Sequence, residues 1–212
     1  MTVVVTCGPA WEPLDGMRRL TNASTGRLGA QLAKALTDAG HRVLVLRGDG
    51  ATAPAPSRAA EVTAFGTNDD LARLLLSLRE REPVHALLHA AALCDFRVAE
   101  VLDSQGVALR ESKIPSRSGR IRLELEPATK VLPRLREWFP RARIAGWKYE
   151  LNGGRDEALG AAWRQLREAG TDACVLNGAA WGPGFAWCEL PGLVTPCADG
   201  EALAERILGW LE

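Results

Sequence analysis

The sequence is short of several things, and each absence removes a class of protein. It has no excess of one charge: 26 basic side chains meet 26 acidic ones, for a formal net charge of zero at pH 7. That balance removes the general attraction to nucleic acid or an anionic bilayer that a basic surplus provides. No apolar run approaches the ~20 residues that cross a bilayer. The longest, Thr2–Cys7 and Val84–Leu93, suit buried strands. The opening MTVVVT carries no charged leader and no small-residue cleavage site, so no signal peptide is expected. The expectation is a soluble, cytoplasmic protein with neither a membrane nor a nucleic-acid partner.

Metal- and thiol-based chemistry is poorly supplied as well. Cys7, Cys94, Cys174, Cys188 and Cys197 are odd in number and never form a C-x-x-C pair. That spacing excludes a disulfide framework and a structural zinc site. Cys7, Cys94 and Cys174 end apolar runs, where a cysteine acts as a small buried hydrophobe. His85 and His89 stand four apart, but VHALLHAA reads as a strand, which separates them by about 13 Å. One metal ion cannot bridge that distance, and no metal ligand is expected.

What is present is an α/β rhythm in a chain of 212 residues, 47% of them hydrophobic. That length fits one domain over residues 1–212. Strands are expected at Thr2–Thr6, Arg42–Leu46, Glu61–Phe65 and Val84–Ala90, and a Pro/Ala/Gly-rich loop at Gly48–Ser57. A helix over Leu28–Ala39 carries Leu28, Leu32, Ala35 and Leu36 on one side and closes at Gly40. A second helix, capped by Asn68 or Asp69, runs to about Arg81. The pattern then breaks. Residues from about 95 to 127 show no helical stripe, KIPSRSG is turn-rich, and RIRLELE alternates as a strand with one wet face. This segment reads as an inserted β-hairpin flap. The rhythm resumes with helices at Thr129–Trp138, Asp156–Ala169 and Glu201–Leu211 and strands at Arg143–Trp147, Asp172–Asn177 and Phe185–Glu189. Strands alternating with helices imply a Rossmann-like, doubly wound and mostly parallel sheet.

In such a sheet, ligands gather beyond the carboxyl ends of the strands. Three strand ends here run into polar or glycine-bearing loops: TCGPAWEPLDGMRRLTNASTGRLG, HAAALCDFR and NGAAWGPG. Ser24-Thr25-Gly26-Arg27-Leu28-Gly29 opens the first long helix. Hydroxyls, glycines and free N–H groups at a helix start make a cradle for phosphate. A nicotinamide-dependent short-chain dehydrogenase is one way to use it. Against that stand the long loop before Gly26, the absence of a Tyr-x-x-x-Lys pair around the single Tyr149, and Arg47 where an acidic ribose ligand belongs.

The first loop carries a more specific pattern. VTCGPAWEPLDGMRRLTNASTGRLGAQLAKALTDAGHRV resembles the N-terminal motif of the phosphopantothenoylcysteine synthetase (phosphopantothenate–cysteine ligase) family of coenzyme A biosynthesis. HAAALCDFR, SKIPSRSGRIRLEL, AGWKYEL and the strand ending at Asn177 resemble later segments of that family, in order, across about Val3–Asn177. The pattern is nearer the stand-alone, eukaryotic-like members than the bifunctional bacterial ones. The resemblance implies that CTP or ATP, with Mg²⁺, activates the carboxylate of 4′-phosphopantothenate as an acyl-nucleotidylate that L-cysteine then intercepts. It also implies a homodimer built through the flap. The remaining readings are the short-chain oxidoreductase and a non-catalytic, nucleotide-binding member of the family.

The resemblance also implies roles for residues. Asn22 would bind the acid and polarise its acyl group, Arg18 would hold an anion, and Lys113 would close over the site from the flap. Ala91, Ala92 and Asp95 would contact the acid. Gly8, Ser24, Gly26 and Gly29 would line the nucleotide phosphates, joined by Trp147, Lys148, Arg164 and Asn177. The chain departs from the family at Ala10 (usually Thr), Trp147 (usually Phe), Arg164 (often Lys) and Gly178 (often Asp).

Overall fold

The computed structural model describes residues 1–56 and 61–212; Ser57, the expected end of the Gly48–Ser57 loop, lies outside them. The chain opens with β1 (Thr2–Cys7), a central strand paired on both edges, whose six residues are all buried because helices cover both faces of the sheet there. A small hairpin follows, β2 (Trp11–Pro13) and β3 (Arg19–Thr21), then α1 (Arg27–Asp38), β4 (Arg42–Gly48), β5 (Glu61–Phe65), α2 (Asn68–Arg81) and β6 (Ala86–His89). The flap strands are β7 (Phe96–Leu102) and β8 (Arg122–Pro127). After them come a 3-10 turn at Leu132–Arg134, α3 (Leu135–Trp138), β9 (Arg143–Tyr149), α4 (Arg155–Ala169) and β10 (Ala173–Gly178). The chain closes with β11 (Gly182–Glu189), β12 (Leu193–Cys197) and α5 (Gly200–Leu211).

The central sheet has eight strands in the order β12-β11-β10-β9-β6-β1-β4-β5. From β10 to β5 every pairing is parallel, and β11 and β12 extend that edge as antiparallel strands. The parallel strands in chain order run 3-2-1-4-5-6 across the sheet, the doubly wound arrangement with its switch point between β1 and β6. Alternation within β1 divides the core. Val3, Val5 and Cys7 pack under α1 and α5, whereas Val4 packs under α2 and α3.

Several local expectations are corrected. Thr67, not Asn68 or Asp69, caps α2: its hydroxyl accepts the Asp70 N–H at 3.1 Å while Asp70 returns a bond to the Thr67 N–H at 2.9 Å. The helix expected over Thr129–Trp138 is reduced to the 3-10 turn and four residues of α3. Pro133 belongs in a first turn and Pro140 bars extension, so little length remains between them. The flap ribbon forms a separate two-stranded sheet. Of its β8 strand only Leu123 is half-buried; the rest is exposed on both faces, since no layer lies beneath. Gly40 does end α1, with φ 84° and the His41 N–H bonded back to Leu36. No helix among the described residues is long and apolar enough to cross a membrane.

Candidate active site

The site is built first from backbone. Beyond β1, Gly8 takes φ 78°, and its carbonyl accepts the Ala92 N–H at 2.9 Å while the Ala92 carbonyl accepts the Ala10 N–H at 3.0 Å. The loops after β1 and β6 are thereby stitched together at the switch point. Glycine is required here by contact. A Cβ at Gly29 would stand 2.2 Å from Cys7 Cβ, and one at Gly8 would stand 2.8 Å from Ala51 Cβ. Gly26, with φ 75°, caps α1 without a side chain. Helix geometry leaves the Leu28 and Gly29 amides without an intrahelical acceptor, at the positive end of the helix dipole. Ser24 is half-buried in the same loop, its N–H on the Asn22 carbonyl at 2.9 Å. Ala10 is fully buried, so its methyl fills core rather than leaving a missing hydroxyl in a phosphate site.

Asn22 crosses to the second loop. Its Nδ2 donates to the Ala92 carbonyl at 3.1 Å and the Leu93 carbonyl at 2.9 Å, so both amide protons are engaged and Oδ1 is the available acceptor. Asn22 must release one carbonyl before it can donate to an acyl oxygen. Arg18 and Lys113 belong to a different contact, the latch between first loop and flap. The Arg18 guanidinium pairs with Asp15 at 2.7 Å and donates to the Ile114 carbonyl. Asp15 also accepts the Met17, Arg18 and Ile114 N–H groups. The Met17 amide first, with the Ile114 and Arg18 amides and the Arg18 charge, pulls its pKa down to about 2 against a smaller desolvation effect. Gly16 donates to the Ser112 carbonyl at 2.8 Å, and Lys113 stands exposed between these two anchored residues.

The remaining residues divide between two faces of the sheet. A Cβ at Gly146 would meet Gln165 and Leu132, so positions 146 and 148 of β9 face α4. The Trp147 side chain faces the other way and packs against the core under α1 and α5, as Leu28 and Phe185 also do, its indole N–H buried without a partner, and the residue also borders the cavity on the α4 side. On the α4 side, Ala91, Asp95, Lys148 and Arg164 line a cavity of about 430 Å³ together with Lys130. Asp95 pairs with Lys130, and Lys148 pairs with Glu150 at 3.1 Å. A second cavity of about 670 Å³ opens where α1 and α5 begin, lined by Thr25, Leu28, Phe185 and Asp199. Asn177 lines neither; its carbonyl accepts the Glu150 N–H at 2.9 Å. The next residue explains a departure from the family: Gly178 has φ 117°, and a Cβ there would lie 2.2 Å from the Glu150 carbonyl oxygen.

Thr6 and His89 escaped the sequence reading as a pair. Thr6 Oγ1 lies 2.8 Å from His89 Nδ1 and accepts the Ala91 N–H at 3.3 Å, tying the floor of the β6 loop to β1. Burial pushes the His89 pKa down to about 4, so the ring is neutral at neutral pH. A hydroxyl four residues into an apolar run was the available signal. Burial also raises the thiols, Cys7 to about 11 and Cys188 to about 12, which leaves them poor nucleophiles. Among the described residues no group of three or more His, Cys, Asp or Glu is arranged to hold a metal ion.

Residues 1–187 match the model of the DNA/pantothenate metabolism flavoprotein C-terminal domain. The chain belongs to that family. It is 30% identical over 176 residues to the coenzyme A biosynthesis bifunctional protein CoaBC of Thermococcus kodakarensis, a match covering 82% of this chain and 40% of that protein. The corresponding match to Bacillus subtilis CoaBC is 30% over 148 residues, covering 70% and 34%. The chain thus spans well under half the length of these curated relatives. The fold agrees with the family. The DNA/pantothenate metabolism flavoprotein of Streptococcus pneumoniae superimposes with a TM-score of 0.88 at 21% identity, covering 100% of this chain and 98% of that one. A Cab2 mutant in complex with phosphopantothenate-cysteine superimposes with a TM-score of 0.74 at 18% identity, covering 99% and 84%.

Proposed function

We propose that residues 1–212 act as one phosphopantothenate–cysteine ligase domain, joining 4′-phosphopantothenate to L-cysteine in the cytoplasm at the expense of CTP or ATP. The observation that carries this conclusion is the meeting of three family motifs at one switch point: the glycine turn after β1, Asn22, and the loop from Ala91 to Asp95. The chemistry has two balanced steps. A carboxylate oxygen of the acid attacks the α-phosphorus and pyrophosphate leaves. The cysteine amine then attacks the acyl carbon, loses a proton, and expels the nucleoside monophosphate.

Each step builds negative charge, and the residues supply fixed positive potential against it. The amides at the start of α1, with Gly8, Gly26, Gly29 and Ser24, receive phosphate oxygens. Trp147, on the same core face as Leu28 and Phe185, forms a wall for the nucleoside, with Asn177 two residues further along the neighbouring strand. Lys148 and Arg164 bring cations from the α4 side, which Ala91 and Asp95 also line, and Ala91, Asp95 and Ala92, held to Gly8 and Ala10, receive the acid. Asn22 orients the acyl group, and Arg18 and Lys113 carry the flap down onto the reacting atoms and exclude water. Magnesium, when bound, would neutralise charge on the phosphates; the described residues build no cage for it, so phosphate oxygens and water with one or two side chains such as Asp95 would hold it. A second copy of the chain covers the flap, where Phe96, Ile121 and Leu125 stand exposed.

The test is pyrophosphate release from 4′-phosphopantothenate, L-cysteine and Mg²⁺, run in parallel with CTP and ATP. Release coupled to the cysteine adduct establishes the ligase and its nucleotide. No release with either nucleotide, from protein with a cooperative melting transition, refutes the assignment. Sedimentation of wild type against Phe96→Ser reports on the dimer.

A further inference from the structure

The hairpin that leads into Asn22 has little of its own to fix its direction. β2 and β3 share three paired positions, Trp11 with Thr21, Glu12 with Leu20 and Pro13 with Arg19, and every residue of β3 is exposed. A two-stranded hairpin of that size is marginal by itself. Three residues with no role so far supply what it lacks: Trp11, Arg19 and Asp49. The Trp11 indole N–H donates to Asp49 Oδ1 at 2.6 Å. The Arg19 guanidinium lies over the indole, 3.9 Å from the ring centroid, and one Nη donates to both Asp49 oxygens at 3.3 and 3.2 Å. Each member of this triangle therefore touches the other two. Backbone ties it to the sheet twice, since the Asp49 N–H donates to the Phe65 carbonyl at 2.9 Å and the Trp11 N–H to the Gly66 carbonyl at 3.1 Å. Gly66 makes room for the indole; a Cβ there would stand 2.8 Å from the ring. Thr21, paired with Trp11, donates its hydroxyl to the Ala10 carbonyl at 2.7 Å, and the next residue is Asn22.

We propose that Trp11, Arg19 and Asp49 are positioning residues for the reaction: they fix the tilt of the hairpin on the ends of β4 and β5, and thereby the place from which the Asn22 carboxamide reaches the acyl group. The proposal rests on the ligase function above. Asn22 has to release the Ala92 or Leu93 carbonyl before it donates to an acyl oxygen. That exchange is productive only if the backbone beneath it stays in place. A guanidinium suits the task, because its face stacks on an indole while its edge meets a carboxylate. With Arg19 half exposed and Asp49 about a third exposed, the ion pair adds little to stability. Its effect on turnover is therefore separable from any effect on folding.

Two measurements on wild type, Asp49→Ala and Asp49→Asn decide the matter: steady-state kinetics with 4′-phosphopantothenate and nucleotide varied separately, and NMR of the Asn22 side-chain amide. Asp49→Ala is expected to lower kcat by roughly tenfold, to leave both KM values and Tm nearly unchanged, and to shift the Asn22 Nδ2 signals. Asp49→Asn keeps an acceptor for the indole N–H and is expected to recover most of the lost kcat. An unchanged kcat in Asp49→Ala, a loss confined to KM or Tm, or no recovery in Asp49→Asn would overturn the proposal. If Asp49→Ala does not fold, the exposed Arg19→Ala decides in its place, and an unchanged kcat there refutes the idea. Wild-type turnover that Asp49→Ala leaves intact refutes this proposal alone. Absence of turnover in the wild type refutes the ligase function and the catalytic consequence drawn from it; the Asn22 signals then decide the positioning, and signals unmoved in Asp49→Ala refute that too.

Discussion

The glycine turn behind β1 and the flap latch at Asp15 hold their segments in place by opposite means. At the turn, α1 lies so close to β1 that Gly29 has no room for a methyl group against Cys7, and Gly48 has none against the Pro9 carbonyl. Position is enforced by backbone in contact, in a region where the neighbouring side chains are buried. The latch between Asp15–Arg18 and Ser112–Ile114 is polar throughout: a carboxylate, a guanidinium and three flap backbone groups. The Arg18 half of the pair is exposed and trades contacts with water at little net cost, while the Asp15 carboxylate that anchors it is covered. In the ligase proposed above, a cradle for phosphates would have to be rigid before the substrate arrives, whereas a cover would have to open and close, and the two kinds of contact suit those two tasks.

Breaking the rigid half should have the largest effect. Gly29→Ala forces α1 away from β1 and is expected to cost about 3 kcal/mol or more in stability, read by denaturant unfolding. A variant as stable as wild type would mean that the close approach at Cys7 is not structural.

Acid should strain the same half next. His89 is buried and neutral with a pKa near 4, against 6.5 for an ordinary histidine. The unfolded chain therefore binds a proton that the folded chain refuses, and stability falls as pH drops from 6.5 towards 4. The whole interval amounts to about 3 kcal/mol at ~1.4 kcal/mol per unit. Unfolding measured at pH 7 and pH 5 should show much of this loss in wild type and little of it in His89→Gln; equal losses in both would refute the account.

The latch should yield the smallest change in stability and the clearest change in motion. Asp15→Asn is expected to hasten amide exchange at Ile114 and Arg18 and to lower Tm by less than either change above. Because the Asp15 pKa lies near 2 against 3.8 for the free group, its contribution is present above about pH 4 and is lost as pH falls towards 2. Wild type should therefore show the same loosening only in that acid interval. Slow exchange at Ile114 in the variant at pH 7 would show that the flap is held by something other than Asp15.

Much of this architecture is legible from one-dimensional pattern. The parallel strands announce themselves because burial on both faces demands uninterrupted apolar runs such as TVVVT and ALLH. The flap shows itself by the loss of that pattern. Three-residue strands such as β2 and β3 carry no period, so the hairpin from Trp11 to Thr21 was invisible; its register and the Trp11 contact with Asp49 at 2.6 Å depend on distant residues. The same limit applied to α2, where the pattern offered Asn68 or Asp69 and passed over Thr67. Only the burial of Asn68 against two other loops leaves the cap to Thr67.

The candidate residues divide in the same way. Gly8, Asn22 and Ala92 do meet, because the motifs that contain them sit at the ends of adjacent strands. Trp147 and Lys148 are neighbours in sequence and stand on opposite faces of the sheet, since successive strand residues alternate. Asn177 is drawn to Glu150 and lines neither cavity. The sequence by itself determined the order of strands and helices, the place of the flap and the family motifs, all of which are local or periodic signals. Which wall of the site each residue occupies, and which buried amide holds two loops together, were decided only by the tertiary structure. Those relations join residues such as Asn68 and Thr129, or Asp15 and Ile114, that are far apart along the chain and have no shared pattern in it.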